Sequence, residues 1–482
     1  MKPISLGKIC AGTELPAGLG DTIITAVITD SRQAAPGTLF VALKGERFDG
    51  HDFVAQVLEQ GAEAALVCRD RVETLQAAVP GERRNRLIAV PDTLTALGQL
   101  ASHFIEELSI PVIGITGSVG KTSTKDFTAC AFSPLGNVAK TKLNYNNEIG
   151  LPMTVLSVED TDCALVGEMG MRGLGEIEYL SKILRPHIGI ITNIGVSHIE
   201  RLGSRENIML AKTEICYGMA PGSTLLVFCG DSVITREKLL ARVNSFQKDI
   251  RVKFFGLDSG CDYWADQITT DADGNVSFRF HPGDQKVSLR VAGVHNVQNA
   301  MAALAAADTY GIPLEKAISG VENYCGDRVR QNMIRQDGIT IIDDTYNAGP
   351  ESMQAALAVL GALPGVRRRI AVLGSMLELG SASQEAHEAV CRAAEKNGVD
   401  ILIAVGDTWG QSLPNCQVEQ KALCANWEEA IPAIQNLCGD RDSQSTGTYG
   451  KMYTAGDGFL IKGSHAMHMD HIVKALTKGE SY

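Results

Sequence analysis

The sequence has few cysteine pairs to work with, no basic excess and no long apolar run. Its 12 cysteines are scattered and never form a C-x-x-C pair, so neither a zinc ribbon nor a thioredoxin-type site is suggested. Such thiols fit a reduced, cytoplasmic protein. The formal net charge is −12, which argues against nucleic acid or an anionic membrane surface as a general partner. No apolar stretch is long enough to cross a bilayer, so membrane insertion is not expected. Met1 to Leu19 carries Lys2 and Lys8, but Gly, Pro and polar residues interrupt any signal-type apolar core. What remains is an ordinary globular composition, 45% hydrophobic and 21% charged. At 482 residues the chain is too long for one core and suggests about three domains.

Short apolar runs mark the elements. Residues 23–28, 39–43 and 64–67 read as strands, with helices over 53–60 and 93–108. The second helix carries Leu94, Leu97, Leu100 and Phe104 at helical spacing. Ser109-Ile110-Pro111 then breaks the pattern. From Val112 strands alternate with helical stretches, at 112–116, 164–167, 188–192 and 225–228, followed by an Ala-rich helix at 296–310. After Tyr324 the alternation restarts, with strands at 339–342, 370–373, 401–405 and 459–462. The expectation is an α/β chain of three domains: 1–108, a central parallel-sheet domain over 109–325, and a smaller doubly wound, Rossmann-like domain over 326–482.

The strongest local signal is Gly114-Ile115-Thr116-Gly117-Ser118-Val119-Gly120-Lys121-Thr122-Ser123, which follows a strand and opens a helix. Glycines let the backbone curl its N–H groups toward phosphate oxygens, and the helix N-terminus adds positive potential. Lys121 can reach the β- and γ-phosphates, and the Thr122 hydroxyl can ligate Mg²⁺. Ile115 stands where the strict P-loop has its first Gly, so the pattern is the shorter Gly-x-x-Gly-Lys-Thr. Such a loop indicates a nucleoside triphosphate without choosing among GTPases, transport ATPases, kinases and ligases.

Glu168 ends a strand beside Met169-Gly170-Met171-Arg172-Gly173, where a carboxylate can hold Mg²⁺. His198 lies past another strand end. The pattern alone leaves it between a structural histidine and a metal ligand. Lys212, in mid-helix, reads by composition as an ordinary solvent-facing lysine.

Taken together these stretches resemble the Mur ligases, over nearly the whole chain. Thr116 to Ser123 is similar to the family's ATP loop. Glu168 and His198 stand where the family places magnesium ligands, and Lys212 where it carries a lysine carbamylated by CO₂. His295-Asn296-Val297-Gln298-Asn299-Ala300 resembles its adenine-contact motif. Thr29 to Arg32, Leu39 to Gly45 and Asp49 to Phe53 resemble the UDP-binding domain of the D-alanyl-D-alanine-adding branch. Glu168 to Gly173 with Gly175-Glu176-Ile177, and Asp343-Asp344-Thr345-Tyr346-Asn347-Ala348, match further signatures of that branch.

The resemblance implies an ADP-forming amide ligase that joins D-alanyl-D-alanine to UDP-N-acetylmuramoyl-tripeptide through an acyl phosphate, as a cytoplasmic monomer. It implies ATP held by Gly117, Ser118, Val119, Gly120, Lys121, Thr122 and Ser123, with Asn296, Asn299 and Asp344. It implies two Mg²⁺ ions on Thr122, Glu168, His198 and carbamylated Lys212. Ser31, Arg32, Lys44, Asp49, His51 and Asn347 would contact substrate. Lys121, Lys212, His198 and an arginine upstream of the C-terminal domain would act in catalysis; Arg330 is that arginine, with Arg328 the competing choice. Gly349, Ser375 and His465 depart from the residues usual there (Asn, Asp and Arg). The rivals are another Mur ligase, a folylpolyglutamate synthase, a GTPase and an inactive scaffold. Thr29 to Phe53 weighs against the synthase, and the lack of Asn-Lys-x-Asp weighs against a GTPase.

Overall fold

A computed structural model describes residues 1–230, 233–271, 274–326, 332–439 and 453–478. Three sheets organise them. The N-terminal one is parallel and four-stranded, ordered Ala26–Ile28, Thr38–Val41, Ala64–Cys68, Leu87–Val90. Short runs such as Ala64–Cys68, buried at nearly every position, suit a sheet covered on both faces. The run expected over 23–28 divides: Ile23–Ile24 pairs antiparallel with Ile4–Ser5, and only Ala26–Ile28 joins the four-stranded sheet.

The central sheet has nine strands. Its parallel part contains Asn137–Lys140, Asp162–Glu168, Val112–Thr116, Ile188–Ile191, Thr224–Cys229 and Arg251–Gly256, in that spatial order. The order reverses about Val112–Thr116: the chain lays Asp162–Glu168 on one side of it and then crosses to place Ile188–Ile191 on the other. Loops leaving the carboxyl ends at such a switch point diverge and open a crevice. Beyond Arg251–Gly256 the sheet continues through Tyr263–Thr270, and the last two strands, Asn275–His281 and Gln285–Ala292, run antiparallel. The purely parallel central sheet expected from sequence is thus extended by an antiparallel edge. The period-2 signal is Val276, Phe278 and Phe280, which point inward while their neighbours are half-exposed.

Helices cover both faces of this sheet. On one, Lys121–Phe132, His295–Tyr310 and Leu314–Glu322 share a core with the antiparallel strands. The run of buried alanines in His295–Tyr310 lets that helix lie close to the sheet. On the other face, Thr93–Glu106 packs against Glu176–Leu184, and one apolar core runs from the N-terminal region into the central one. Gly98 makes the approach possible, since a Cβ there would stand 2.3 Å from the Tyr179 hydroxyl.

The third sheet is ordered Asn332–Gln336, Ile339–Asp344, Asp457–Lys462, Arg368–Gly374, Ile401–Val405, Gln420–Cys424. All its strands are parallel except the edge strand Asn332–Gln336. The last described strand therefore lies inside the sheet.

Phe278→Ala tests the antiparallel edge as part of the core. Removing this buried ring should destabilise the protein by about 3–5 kcal/mol, read as a lower denaturant midpoint in equilibrium unfolding. A change of a few tenths would show that the edge contributes little.

Candidate functional site

The phosphate loop leaves the buried strand Val112–Thr116 and enters the helix Lys121–Phe132. Two glycines shape it. Gly117 has φ 154°, and a Cβ there would stand 1.8 Å from the Thr192 hydroxyl oxygen. Gly120 has φ 81° in the left-handed region, and its Cβ would stand 2.6 Å from Asn299 Oδ1.

The loop after Ile188–Ile191 braces this turn. Asn193 Oδ1 accepts from the Ser118 and Val119 N–H groups at 3.0 and 2.9 Å. The Thr192 hydroxyl donates to the Val119 carbonyl at 2.6 Å, and the Gly195 N–H donates to Ser118 Oγ at 2.9 Å. Lys121 Nζ curls back over the loop, donating to the Gly117 and Ser118 carbonyls at 2.8 and 3.2 Å. These contacts hold the loop shape with side chains from a neighbouring strand end.

Glu168 is 1% exposed at the end of Asp162–Glu168. The Thr122 hydroxyl donates to its Oε2 at 2.8 Å and Asn146 Nδ2 to its Oε1 at 2.9 Å. Among the described residues no Lys or Arg pairs with it. A buried carboxylate with only neutral donors lacks the positive charge that normally offsets its desolvation.

Lys212 presents the complementary case. It lies in the helix Arg205–Thr213 and is 1% exposed, not solvent-facing as composition alone suggests. Its ammonium has no hydrogen-bond or ion-pair partner among the described residues. Complete burial, helped by the nearby Lys121 charge, holds its pKa well below the ordinary lysine value. His198 has φ 65° and places Nδ1 2.9 Å from Glu378 Oε2, a residue of the third sheet's region. Burial, and then the Lys121 charge, lower the His198 pKa against the opposing pull of Glu378.

Behind the loop, Thr124 Oγ1 donates to Asn299 Oδ1 at 3.1 Å, Asn299 Nδ2 to Asn296 Oδ1 at 3.1 Å, and Asn296 Nδ2 to the Ala292 carbonyl at 2.8 Å. This chain ties the helix His295–Tyr310 to the helix that the loop opens. Across the crevice, Lys462 Nζ donates to Asp344 Oδ2 at 2.6 Å and to the Asn347 carbonyl at 2.7 Å. Glu351 Oε1 accepts the Val196 N–H at 2.8 Å. Glu378 on His198 and Glu351 on Val196 are thus two of the contacts that join the central and C-terminal regions.

A cleft of about 1430 Å³ lies between these elements. Ser118 to Ser123, Glu168, His198, Asn296, Asp344 and Asn347 line it. Gly117, Asn299 and Lys212 are not among its lining residues. Ser31, Arg32, Lys44, Asp49 and His51 are not part of it. Arg32 is exposed and forks onto Asp30. Lys44 is exposed and bridges by its backbone to Asp49. His51 is buried, with Nδ1 2.6 Å from Asp49 Oδ1 and Nε2 accepting the Cys68 N–H at 3.0 Å, so the neutral ring carries its proton on Nδ1. These two bonds brace the loop after Thr38–Val41. Arg330 and its competitor Arg328 fall outside the described residues.

Sequence reasoning passed over four cleft or bridging residues: Asn146, Glu351, Glu378 and Lys462. Only Lys462 carried a signal, as a lysine directly after the apolar run Phe459-Leu460-Ile461.

Family profiles match most of the chain: "Mur ligase family, catalytic domain" over residues 23–105, "Mur ligase middle domain" over 115–307, and "Mur ligase, glutamate ligase domain" over 329–465. The UDP-N-acetylmuramoyl-tripeptide--D-alanyl-D-alanine ligase of Bacillus subtilis is 36% identical, covering 98% of this chain and 97% of that protein. The enzyme of the same name from Escherichia coli is 35% identical, over 80% of this chain and 82% of that protein. A crystal structure of MurF from Acinetobacter baumannii superposes with a TM-score of 0.84 at 33% identity, covering 99% of each chain. MurF ligase from Thermotoga maritima in complex with ADP gives 0.76 at 26%, covering 94% of this chain and 97% of that one.

Gly120→Ala should weaken ATP binding about tenfold, the cost of a left-handed non-glycine residue being about 1–2 kcal/mol before the contact with Asn299 is counted. Calorimetric titration reads this directly. Unchanged affinity would show that the loop does not need this backbone shape.

Proposed function

The chain belongs to the Mur ligase family, and we propose that within it the protein joins D-alanyl-D-alanine to UDP-N-acetylmuramoyl-tripeptide, consuming ATP and yielding ADP, phosphate and the pentapeptide precursor of peptidoglycan. One observation carries the reading. A phosphate loop, a buried unpaired carboxylate and a ribose-type aspartate face one cleft, in a chain that relatives of this name match nearly end to end.

The chemistry must overcome two obstacles. A carboxylate does not acylate an amine in water, because its oxygen is a poor leaving group. It and the ATP γ-phosphate are also both anions. In the proposed route a carboxylate oxygen of the tripeptide bonds to the γ-phosphorus, and the bond from that phosphorus to ADP breaks. The amine of D-alanyl-D-alanine then adds to the carbonyl carbon and loses a proton. The tetrahedral species collapses, expelling phosphate with the original carboxylate oxygen.

Lys121 offsets the anionic repulsion from a position fixed by Gly117 and Ser118. Asp344, held by Lys462, is placed to accept from the ribose hydroxyls. The chain Asn296–Asn299–Thr124 sets the adenine side against the loop. Glu378 orients His198, and together with Glu351 it closes the cleft that shields the acyl phosphate from water. Arg330 is retained in the proposal as a γ-phosphate contact. Ser31, Arg32, Lys44, Asp49, His51 and Asn347 are retained as contacts to the UDP-peptide, and Ser123 as part of the phosphate loop.

The donor set fits two magnesium ions. Glu168 is a buried anion without a cation, Thr122 supplies a hydroxyl beside it, and His198 supplies an imidazole. Lys212 completes the set as a carbamate. Burial shifts its amine toward the neutral form that attacks CO₂ with loss of a proton, and the product is an anion where an ammonium would repel a metal. When bound, the ions neutralise phosphoryl oxygens as charge moves during transfer. A monomer is retained in the proposal. No helix among the described residues is long and apolar enough to cross a membrane, in keeping with the proposed cytoplasmic location.

The reading is tested by ADP release. The purified protein should form ADP only when both UDP-N-acetylmuramoyl-tripeptide and D-alanyl-D-alanine are present, with the pentapeptide seen by mass spectrometry. Equal ADP release with a folate and glutamate would overturn it.

Lys121→Ala should lower turnover about a hundredfold or more, and near-normal turnover would refute its placement. Lys212→Ala should lose most activity yet fold normally, alanine being the best helix former. Short carboxylates added to that variant should restore part of the activity. A fully active Ala variant would return Lys212 to a structural role.

A further inference from the structure

The segment after the strand Asp457–Lys462 carries a cluster that amide-bond formation does not use. His468, Asp470 and His471 each offer one ligand atom, and these atoms lie within 4.8 Å of one another. Among the described residues no other such group of three occurs.

The backbone builds the cluster. His468 sits in the left-handed region, with φ 49° and ψ 38°, and closes the short turn His465–Met467. Its N–H donates to the His465 carbonyl at 3.1 Å, and the His471 N–H donates to the His468 carbonyl at 3.2 Å. That reversal sends the chain into the helix Asp470–Lys478 and leaves the His468 and His471 ring centroids 6.2 Å apart. The His471 ring stacks on Trp427 of a neighbouring helix, 4.4 Å away with planes 16° apart, which fixes its orientation. Lys474 Nζ donates to Asp470 Oδ2 at 2.6 Å and leaves the other carboxylate oxygen outside that ion pair. His468 is exposed, while Asp470 and His471 are half-buried.

The geometry points to a second metal site here, built for a zinc-class transition-metal ion and separate from the magnesium positions beside the phosphate loop. Two imidazole nitrogens and one carboxylate oxygen suit Zn²⁺, Cu²⁺ or Ni²⁺, whereas the proposed magnesium positions are dominated by oxygen, with His198 their single nitrogen. Zinc bonds of about 2.0–2.1 Å put ligand atoms of a tetrahedral ion about 3.4 Å apart. The contraction from the present spacing falls on His468, the exposed and movable member. Three protein ligands leave the fourth position to water. The same segment begins at Ser464, whose hydroxyl donates to the Ser375 carbonyl at 3.2 Å and accepts the Leu377 N–H at 3.4 Å. Ser464 and Leu377 line the cleft, so an ion on His468 and His471 fastens one cleft wall to the helix Asp470–Lys478.

The test is titration of the full chain with Zn²⁺ and Co²⁺ in excess Mg²⁺, comparing wild type with His468→Ala, Asp470→Asn and His471→Ala. Wild type should take up one ion with a rise in Tm, and each variant should bind it more than about tenfold more weakly. Bound Co²⁺ should show weak visible bands without a thiolate charge-transfer band. His468→Ala, at an exposed position, should keep its fold and its magnesium-dependent turnover. Equal affinity in wild type and His468→Ala would overturn the site. A thiolate band would also overturn it, by assigning the ion to the cysteines.

Discussion

Two ionisable groups of opposite type, a carboxyl and an amine, are buried around the phosphate loop without pairing with each other. Glu168 has neutral donors around it and Lys212 has none. Leaving either group in this state opposes folding, since an unpaired buried charge costs several kcal/mol and neutralises where it can. A fold keeps such an arrangement only when something else completes it. The surrounding structure serves that end. The switch in strand order delivers the phosphate loop, Glu168 and the Thr192–His198 segment to one mouth. The helix Arg205–Thr213 then brings Lys212 in from behind.

The same constraint explains why the site is assembled from separate regions. A phosphoryl group moving between two anions needs positive charge on one side and exclusion of water on the other. In the proposed route the central sheet supplies the first through Lys121 and the ions, and the C-terminal region supplies the second, reaching across with Glu378 and Glu351. Of the three departures in that region, Gly349 lines the cleft and Ser375 and His465 do not. Ser375 is occupied by the Thr408 hydroxyl at 2.6 Å, and His465 meets Tyr346 edge-on, so both positions are packed without the charged side chains more usual there.

Much of this was legible in the residues. Ile401–Val405 and Val112–Thr116 have the bounds read from sequence, because short apolar runs between turn residues admit little else. The phosphate loop was legible because its glycines answer to local geometry. The antiparallel edge was not, although Val276, Phe278 and Phe280 alternate, because its outer face mixes polar and charged residues that resemble loop. The burial of Lys212 could not be read from its helix, where lysine is common; it depends on elements packed around it. The Glu378–His198 contact joins residues 180 apart in the chain, a distance over which local pattern carries no information.

The position of the strand Asp457–Lys462 has a temporal consequence. It lies between Ile339–Asp344 and Arg368–Gly374, and Lys462 stands in register with the Asp344 that it holds. A ribosome delivers this strand after every other described strand. Until it emerges, the third sheet is two separated fragments with a gap at its middle, and Asp344 has no lysine to position it. The N-terminal and central regions can fold behind the ribosome in the meantime. The centre of this sheet, and the lysine that holds Asp344, therefore exist only once that strand has been made.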